Sequence, residues 1–82
     1  MVDILFSKKF IDKFSKTKDI LLKIKIKKQI RKIADSPKIG KPMRNIRKGT
    51  RELYIKPFRL SYRYFENESR IEILDIYHKK HQ

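Results

Sequence analysis

The 82-residue sequence contains no cysteine, and its two histidines, His78 and His81, lie close to the carboxyl end. Disulfides and thiolate-bound metals are therefore excluded, and two histidines are too few for a metal site built from histidine alone. No apolar run approaches the roughly 20 residues that a membrane-spanning helix needs. Asp3 stands where a secretory signal would carry basic residues. We expect a cytoplasmic protein with no metal, no other cofactor and no membrane partner.

Acidic residues are scarce. Nine Asp and Glu stand against 23 Lys and Arg, which gives a formal net charge of +14. Such a charge on a small body indicates a polyanionic or acidic partner, with nucleic acid as the leading candidate. A solvated basic surface without a partner is the alternative. Residues 1–48 carry a net charge of +12 and residues 49–82 a net charge of +2, so the first half produces most of the field.

The beginning of the chain predicts a strand followed by a helix. Residues 3–6 form a short apolar run that suits a strand. Ser7 is a candidate N-cap, because its hydroxyl can accept a hydrogen bond from an amide of the first helical turn. The apolar residues that follow at helical spacing are Phe10, Ile11 and Phe14. They predict that one face of this helix packs on the core.

A second helix is predicted over residues 19–34, which contain neither glycine nor proline. Thr17 is its candidate N-cap, and Ser36-Pro37 ends it. Its predicted core face consists of Leu22, Ile26, Ile30 and Ile33. Residues 22–27 also alternate between apolar and basic side chains, as a strand does, but sixteen unbroken residues favour a helix.

The second half of the chain changes to an apolar period of two, which predicts strands. Residues 51–65 alternate on both sides of Pro57-Phe58 and predict a hairpin, and residues 66–69 form a polar turn. Residues 71–77 are apolar on both faces, which is typical of a strand inside a sheet. Residues 38–49 hold both glycines and predict a loop.

The order of these elements is β-α-α-β-β-β. It predicts one α+β domain over residues 1–82, in which an antiparallel sheet of about four strands packs on an N-terminal two-helix hairpin.

Five segments together resemble a known family. They are Ser36-Pro37, Gly40-Lys41-Pro42-Met43, residues 51–56, Phe58-Arg59-Leu60-Ser61-Tyr62, and residues 73–80. In this order and spacing the chain is similar to the RelE/ParE toxin superfamily, especially its short archaeal RelE-like members. The most specific part is the aromatic-Arg-x-x-Tyr step followed by a strand that ends in His and a basic residue. The resemblance covers nearly the whole chain and implies a RelE-like, microbial ribonuclease-type fold with a basic groove on the sheet.

The resemblance also implies a function. RelE toxins cleave mRNA in the ribosomal A site, whereas ParE toxins share the fold and inhibit DNA gyrase. The implied protein is the toxin of a type II toxin–antitoxin system, with the ribosome and mRNA as targets. A cognate acidic RelB-like antitoxin would neutralise it, within a higher-order toxin–antitoxin complex. ParE-like inhibition of gyrase is the alternative, and a basic RNA-binding module without toxicity is a third hypothesis.

Metal-free cleavage of RNA requires the 2′-hydroxyl to attack its own phosphodiester. A proton must leave the 2′-oxygen, charge on the phosphate must be stabilised, and the 5′-oxygen must be protonated. Arg59 is the leading candidate for stabilising the charge, because a guanidinium binds two phosphate oxygens at once. By resemblance it matches the family's phosphate-clamping arginine. The alternative is a surface arginine whose stem covers the sheet.

Lys56 and Tyr54 are predicted to face the groove, because Leu53 and Ile55 must face the core. Lys56 is a candidate base or phosphate contact, and Tyr54 is a candidate for stacking on a nucleobase. The alternatives are an ordinary strand lysine and an ordinary exposed tyrosine.

His78 and Lys79 match the basic pair at the end of the family's last strand. Histidine changes protonation near neutral pH, so His78 is a candidate general acid or base, and Lys79 is a candidate phosphate contact. We expect Arg59, Lys56 and His78 to converge on one groove. Many RelE toxins carry a catalytic tyrosine some residues after this pair, and the present sequence has none there.

The remaining candidate RNA contacts are basic side chains in the strands, at the end of the chain and in the second helix. In the strands and at the end they are Arg51, Arg63 and Lys80, and in the helix they are Lys23, Lys27 and Arg31. The helical residues are predicted to lie along ribosomal RNA or an acidic antitoxin segment. The alternative is a solvated helix face.

Overall fold

The computed structural model describes residues 2–79, with the side chain of Ile46 excepted. The helices are α1 (Lys8–Lys16) and α2 (Ile20–Asp35). The strands are β1 (Asp3–Phe6), β2 (Lys41–Pro42), β3 (Arg51–Ile55), β4 (Phe58–Phe65) and β5 (Arg70–His78). Single 3-10 turns occupy Asn45–Arg47 and Glu66–Glu68. The sheet order is β1-β5-β4-β3-β2.

The predicted α+β architecture is confirmed, with two differences in the sheet. The sheet has five strands, because Lys41–Pro42, inside the predicted loop, pairs with β3. A two-residue strand is too short to show a period of two. The sheet is also mixed, since β1 runs parallel to β5 while the other neighbours are antiparallel. β5 lies inside the sheet between β1 and β4, as its apolar sequence predicts.

The helix caps agree with the sequence at one site and differ at the other. Ser7 caps α1, and its Oγ accepts a hydrogen bond from the Phe10 amide at 3.0 Å. The prediction that Thr17 caps α2 is wrong. Asp19 is the cap, with Oδ1 accepting from the Leu22 amide at 3.1 Å. Because α2 begins at Ile20, Thr17 falls instead at the end of α1, where its hydroxyl donates to Lys13 O at 2.8 Å.

The core lies between the two helices and one face of the sheet. Its buried members are Phe10, Ile26, Ile33, Ile55, Leu60, Tyr62, Ile71, Ile73 and Ile76. The predicted core face of α2 is confirmed, and so are Phe10 and Phe14 of α1, since Phe14, Leu22 and Ile30 pack around this cluster as half-buried side chains. Ile11, however, is exposed. Within residues 2–79 no helix is long and apolar enough to pass through a bilayer.

The strand register decides which side chains share the other face of the sheet. Arg59 in β4 lies opposite Tyr54 in β3 and opposite Tyr77 in β5. Its neighbour Leu60 lies in the core. Because successive strand residues point to opposite faces, Arg59 and both tyrosines belong to the face away from the helices.

An extra residue in β5 changes which of its side chains face the core. Ser61 pairs with Asp75 but Tyr62 pairs with Ile73, so Leu74 is an extra residue in β5. Ile73 and Ile76 therefore both reach the core although three positions separate them.

Candidate functional site

A buried carboxylate lies on the sheet face away from the helices. The Glu52 side chain is 1% exposed, and two arginines bind it. Arg47 Nη1 donates to Glu52 Oε2 at 2.9 Å, and Arg59 Nη1 donates to Glu52 Oε1 at 3.4 Å. Glu52 comes from β3, Arg59 from the neighbouring β4, and Arg47 from the turn that precedes β3. Each carboxylate oxygen thus contacts a different cation, which compensates for removing the carboxylate from water.

Two tyrosine rings border these arginines. The Arg47 guanidinium lies 4.9 Å from the Tyr77 ring centroid, and its Nη1 also donates to the Tyr77 hydroxyl. The Arg59 guanidinium lies 5.7 Å from the Tyr54 ring centroid, and Lys79 Nζ lies 6.0 Å from the same centroid. These distances fall within the range in which an aromatic face attracts a cation.

We call this set of side chains the Glu52 cluster. Its members are Arg47, Glu52, Tyr54, Arg59, Tyr77 and Lys79. With three cations and one carboxylate the cluster carries a net positive charge beside two aromatic rings. This combination suits a phosphate with an adjacent nucleobase, because cations bind the phosphate and rings stack on the base.

The expectation that Arg59, Lys56 and His78 converge on one groove is wrong. β4 and β5 pair Phe58 with His78 and Arg59 with Tyr77, so His78 follows Phe58 to the opposite face from Arg59. The His78 ring packs edge-on against Phe58, with 5.5 Å between the ring centroids. Because β5 carries an extra residue, its facing could not be obtained by counting alternate positions along the sequence.

His78 and Lys56 line two separate depressions. The depression beside His78 is also lined by Lys9, Lys13, Arg47, Phe58, Asp75, Ile76 and Tyr77. That of Lys56 lies between β3 and α2 and also contains Lys25, Lys28, Gln29, Lys32, Tyr54 and Ile55. Each depression borders the Glu52 cluster through shared members, which are Arg47 and Tyr77 on one side and Tyr54 on the other. Lys56 and His78 therefore adjoin the Glu52 cluster from different sides, and the three residues singled out in the sequence do not line one concavity.

Arg51 and Arg63 occupy different environments. Arg51 Nη1 donates to the carbonyl oxygens of Lys38 at 3.1 Å and Gly40 at 2.8 Å, so its guanidinium holds the loop that follows α2. Arg63 is exposed in β4, opposite Glu72. Neither belongs to the Glu52 cluster. The prediction for Lys80 lies outside the described residues.

The basic residues of α2 point in two directions. Lys23 Nζ lies 5.1 Å from the Phe14 ring centroid, and Lys27 lines an apolar cavity shared with α1. The cavity has a volume of about 300 Å³, and its other lining residues are Phe6, Phe10, Ile11, Phe14, Ser15 and Ile30. Arg31 is exposed. Lys23 and Lys27 therefore both lie beside Phe14 on the α1 side. The lysines that adjoin the Glu52 cluster are instead those on the β3 side, Lys25, Lys28 and Lys32.

Sequence reasoning did not single out Arg47, Glu52 or Tyr77 as members of a site. One signal was present, because Glu52 is the only acidic residue between Asp35 and Glu66. A lone acid at an alternating position among many cations indicates a carboxylate that binds arginine. Arg47 carried no comparable signal, since the turn that brings it beside Glu52 has no sequence periodicity. Within residues 2–79 no group of three or more His, Asp or Glu side chains is placed to hold a metal ion.

A comparison with family models identifies the chain. The model described as the ParE toxin of the type II toxin–antitoxin system, parDE, matches residues 4–82. The chain belongs to the ParE toxin family. The resemblance to the RelE/ParE superfamily is thereby confirmed, and this ParE-family chain is a type II toxin. No curated protein sequence matches it significantly.

Solved structures show the same fold for this ParE-family toxin. The YoeB/ParE toxin from Agrobacterium tumefaciens is 18% identical, with a TM-score of 0.84 and coverage of 94% of this chain and 98% of that one. The isolated RelE toxin of E. coli is 13% identical, with a TM-score of 0.81 and coverage of 95% and 84%. A chain of the RelBE2 toxin–antitoxin complex from Mycobacterium tuberculosis is 22% identical, with a TM-score of 0.81 and coverage of 95% and 98%.

Proposed function

We propose that this type II toxin is a ribosome-dependent endoribonuclease that cleaves mRNA in the A site without a metal. The observation that supports the proposal is the arrangement of Arg59 and Lys79 around the ring of Tyr54. Two cations and an aromatic ring on the open face of the sheet offer a phosphate site next to a stacking surface. The fold shared with RelE and YoeB toxins supports the same assignment.

In the proposed reaction the 2′-hydroxyl gives up its proton and its oxygen attacks the adjacent phosphorus, while the 5′-oxygen leaves and takes up a proton. The products are a 2′,3′-cyclic phosphate and a 5′-hydroxyl. Arg59 and Lys79 stabilise the charge that grows on the non-bridging oxygens. Arg59 Nη1 makes the contact with Glu52, and Nε is buried without a hydrogen-bond partner among the described residues, so Nη2 is the nitrogen left to face a ligand. A guanidinium has five N–H donors, so Arg59 retains donors for a phosphate. Tyr54 stacks on the nucleobase beside the scissile bond.

Lys56 and His78 act on either side of this phosphate. Lys56, together with the lysines of α2, contacts the phosphate of a neighbouring nucleotide across the depression between β3 and α2. His78 faces away from Arg59, and its depression borders the phosphate site only at Arg47 and Tyr77. In the proposed reaction the mRNA lies across that border, and His78 accepts the proton of the 2′-hydroxyl and returns a proton to the leaving 5′-oxygen. On the ribosome the bound mRNA is held in a fixed conformation. That conformation brings the reacting hydroxyl to these groups and explains the dependence on the ribosome.

The proposed partner before activation is an acidic RelB-like antitoxin. Relatives of the same fold have been solved in complex with antitoxins, among them the heterotetrameric YoeB-YefM complex from Staphylococcus aureus, whose matching chain is 22% identical with a TM-score of 0.75. The present chain exposes apolar side chains at Ile11, Ile20, Leu21 and Ile24 on its helices. A segment with acidic and apolar residues would cover them and neutralise nearby lysines. Purification under native expression should recover an acidic partner encoded beside the toxin.

The test is to map mRNA ends by primer extension on programmed ribosomes. The wild type should cut at codon-spaced positions, and Arg59→Ala should lower the cleavage rate by a factor on the order of 100 or more. Arg70→Ala is the matched control. Arg70 also binds carboxylates and packs on an aromatic ring, that of Phe65, but at the opposite end of β4 and β5. Intact transcripts with the wild type, or equal losses in the two variants, would contradict the proposal.

The second candidate is inhibition of DNA gyrase. It is favoured by one observation, namely that the matching family model is that of ParE. Loss of supercoiling activity with intact transcripts would support this candidate. Codon-spaced cleavage with unaffected gyrase would reject it.

A further inference from the structure

Glu52 joins two arginines that come from different parts of the chain. We infer that Arg47 is a second phosphate-binding residue and that Glu52 is a positioning residue, which holds Arg47 and Arg59 side by side so that both bind one RNA phosphate. The inference rests on the proposed RNA substrate and adds to it a residue, Arg47, from outside the strands.

Burial and bonding give Glu52 a fixed position. Its side chain is 1% exposed, and β3 is paired on both sides at this residue, with Lys41 in β2 and Ser61 in β4. Each carboxylate oxygen contacts one guanidinium, so the two guanidinium groups are held within the span of a single carboxylate. Without that carboxylate two like charges at such a separation would repel each other.

Both arginines are placed to reach a ligand. Their side chains are 39% exposed for Arg47 and 25% exposed for Arg59, whereas Glu52 lies beneath them. Both contacts with Glu52, and the contact of Arg47 with Tyr77, use Nη1. Arg47 retains Nε and Nη2, and Arg59 retains Nη2, because its Nε is buried. Each guanidinium therefore keeps at least one nitrogen that can donate to a phosphate oxygen. One phosphate facing this pair would therefore meet two oriented cations.

A simpler role for Glu52 makes the opposite prediction. If Glu52 only neutralised charge, its removal would make the surface more positive and would tighten binding of any polyanion. If Glu52 positions the arginines, its removal frees them to separate, and binding weakens although the net charge rises. The sign of the change distinguishes the two roles.

The experiment measures binding of a fluorescent single-stranded oligoribonucleotide by anisotropy at fixed salt. Glu52→Gln keeps the size of the side chain and removes its charge. We expect its affinity to fall by a factor of roughly three to ten, as for loss of coupling between contacting residues. Glu66→Gln is the matched control. It removes the same charge from a side chain that is 65% exposed and paired with Lys38, and it should bind RNA as tightly as the wild type or more tightly. Unchanged or tighter binding by Glu52→Gln would overturn the inference, as would absence of binding by the wild type.

A second measurement applies even if Glu52→Gln fails to fold. Arg47→Lys and Arg59→Lys change half-exposed side chains and keep the charge, but each loses the planar fork. If Glu52 makes the two arginines act as a unit, the double variant should lose little more affinity than either single variant. Additive losses would overturn the inference.

The two proposals can fail separately. If the wild type leaves mRNA intact on the ribosome while the arginine losses are non-additive, the nuclease proposal fails and the positioning role stands. If cleavage occurs while the losses are additive, only the positioning role fails.

Discussion

The amide of Gly40 donates a hydrogen bond to the phenolic oxygen of Tyr62 at 2.8 Å, and the two residues are packed so closely that a β-carbon on Gly40 would lie 2.7 Å from the ring. The Tyr62 hydroxyl in turn donates to the Pro37 carbonyl at 2.7 Å. A buried core side chain thus fixes the loop between α2 and β2. The Gly-Lys-Pro segment is therefore part of the core architecture rather than a free connection.

The close approach makes Gly40 intolerant of a larger residue. Gly40→Ala should lower the free energy of unfolding by about 1–3 kcal/mol, because the Tyr62 ring is buried and has no space to move away. Chemical denaturation measures the change. Lys41→Ala, at the exposed neighbouring position, should change stability by less than about 0.5 kcal/mol. Equal stability of Gly40→Ala and the wild type would show that the loop can shift.

Removal of the Tyr62 hydroxyl should lower the free energy of unfolding at neutral pH by a similar amount, but for a different reason. Tyr62→Phe preserves the ring but leaves the buried Gly40 amide without its acceptor. The expected loss is about 1–3 kcal/mol, which is the cost of an unsatisfied buried donor. Tyr54→Phe is the control, because its ring is exposed. A Tyr62→Phe variant as stable as the wild type would mean that water replaces the hydroxyl.

The same hydroxyl predicts a dependence on alkaline pH. Burial raises the pKa of Tyr62, and the Gly40 hydrogen bond and the Arg51 charge oppose that shift only in part. The folded protein therefore holds the phenolic proton more tightly than the unfolded chain. The stability from protonated Tyr62 is fully present below the unfolded pKa of about 10 and is lost as the pH rises from there toward the folded pKa.

Denaturation curves between pH 8 and pH 11 test this expectation. The stability advantage of the wild type over Tyr62→Phe should shrink above about pH 10. Lysine deprotonation is common to both proteins and cancels in the comparison. An advantage that stays constant across this range would contradict the assigned direction.

Asp19 should contribute to the stability of α2 through its cap. Asp19→Ala removes the acceptor of the Leu22 amide, and we expect a loss of about 0.5–2 kcal/mol in thermal or chemical unfolding. Asp12→Ala makes the same charge change within α1, where Asp12 is exposed and is not a cap. A comparable loss in both variants would assign the effect to net charge instead of capping.

Arg59→Ala should abolish growth arrest when the toxin is expressed without its antitoxin. The variant removes the cation that β4 presents beside Tyr54. Circular dichroism should show an unchanged fold, because the side chain lies away from the core and Arg47 still pairs with the buried Glu52 carboxylate. Arrest that persists in a folded variant would remove Arg59 from the site.

Features that repeat along the sequence were predictable, and features that depend on one contact were not. The spacing of Ile26 and Ile33 and the alternation around Leu60 gave the helices, the hairpin and the core. The two-residue strand at Lys41–Pro42 was missed, because so short a segment has no period. The site was harder to predict. Alternation along the sequence assigns each residue at the end of β5 to one face of the sheet, and the extra residue at Leu74 moves these residues to the opposite face.

The two borders of the sheet differ in what they offer to a further strand. On one border is β2, whose Pro42 has no amide proton to donate. On the other is β1, a four-residue strand with exposed Leu5 and Phe6. Self-association that extends the sheet should therefore occur beside β1, and a lysine placed at Leu5 should suppress it.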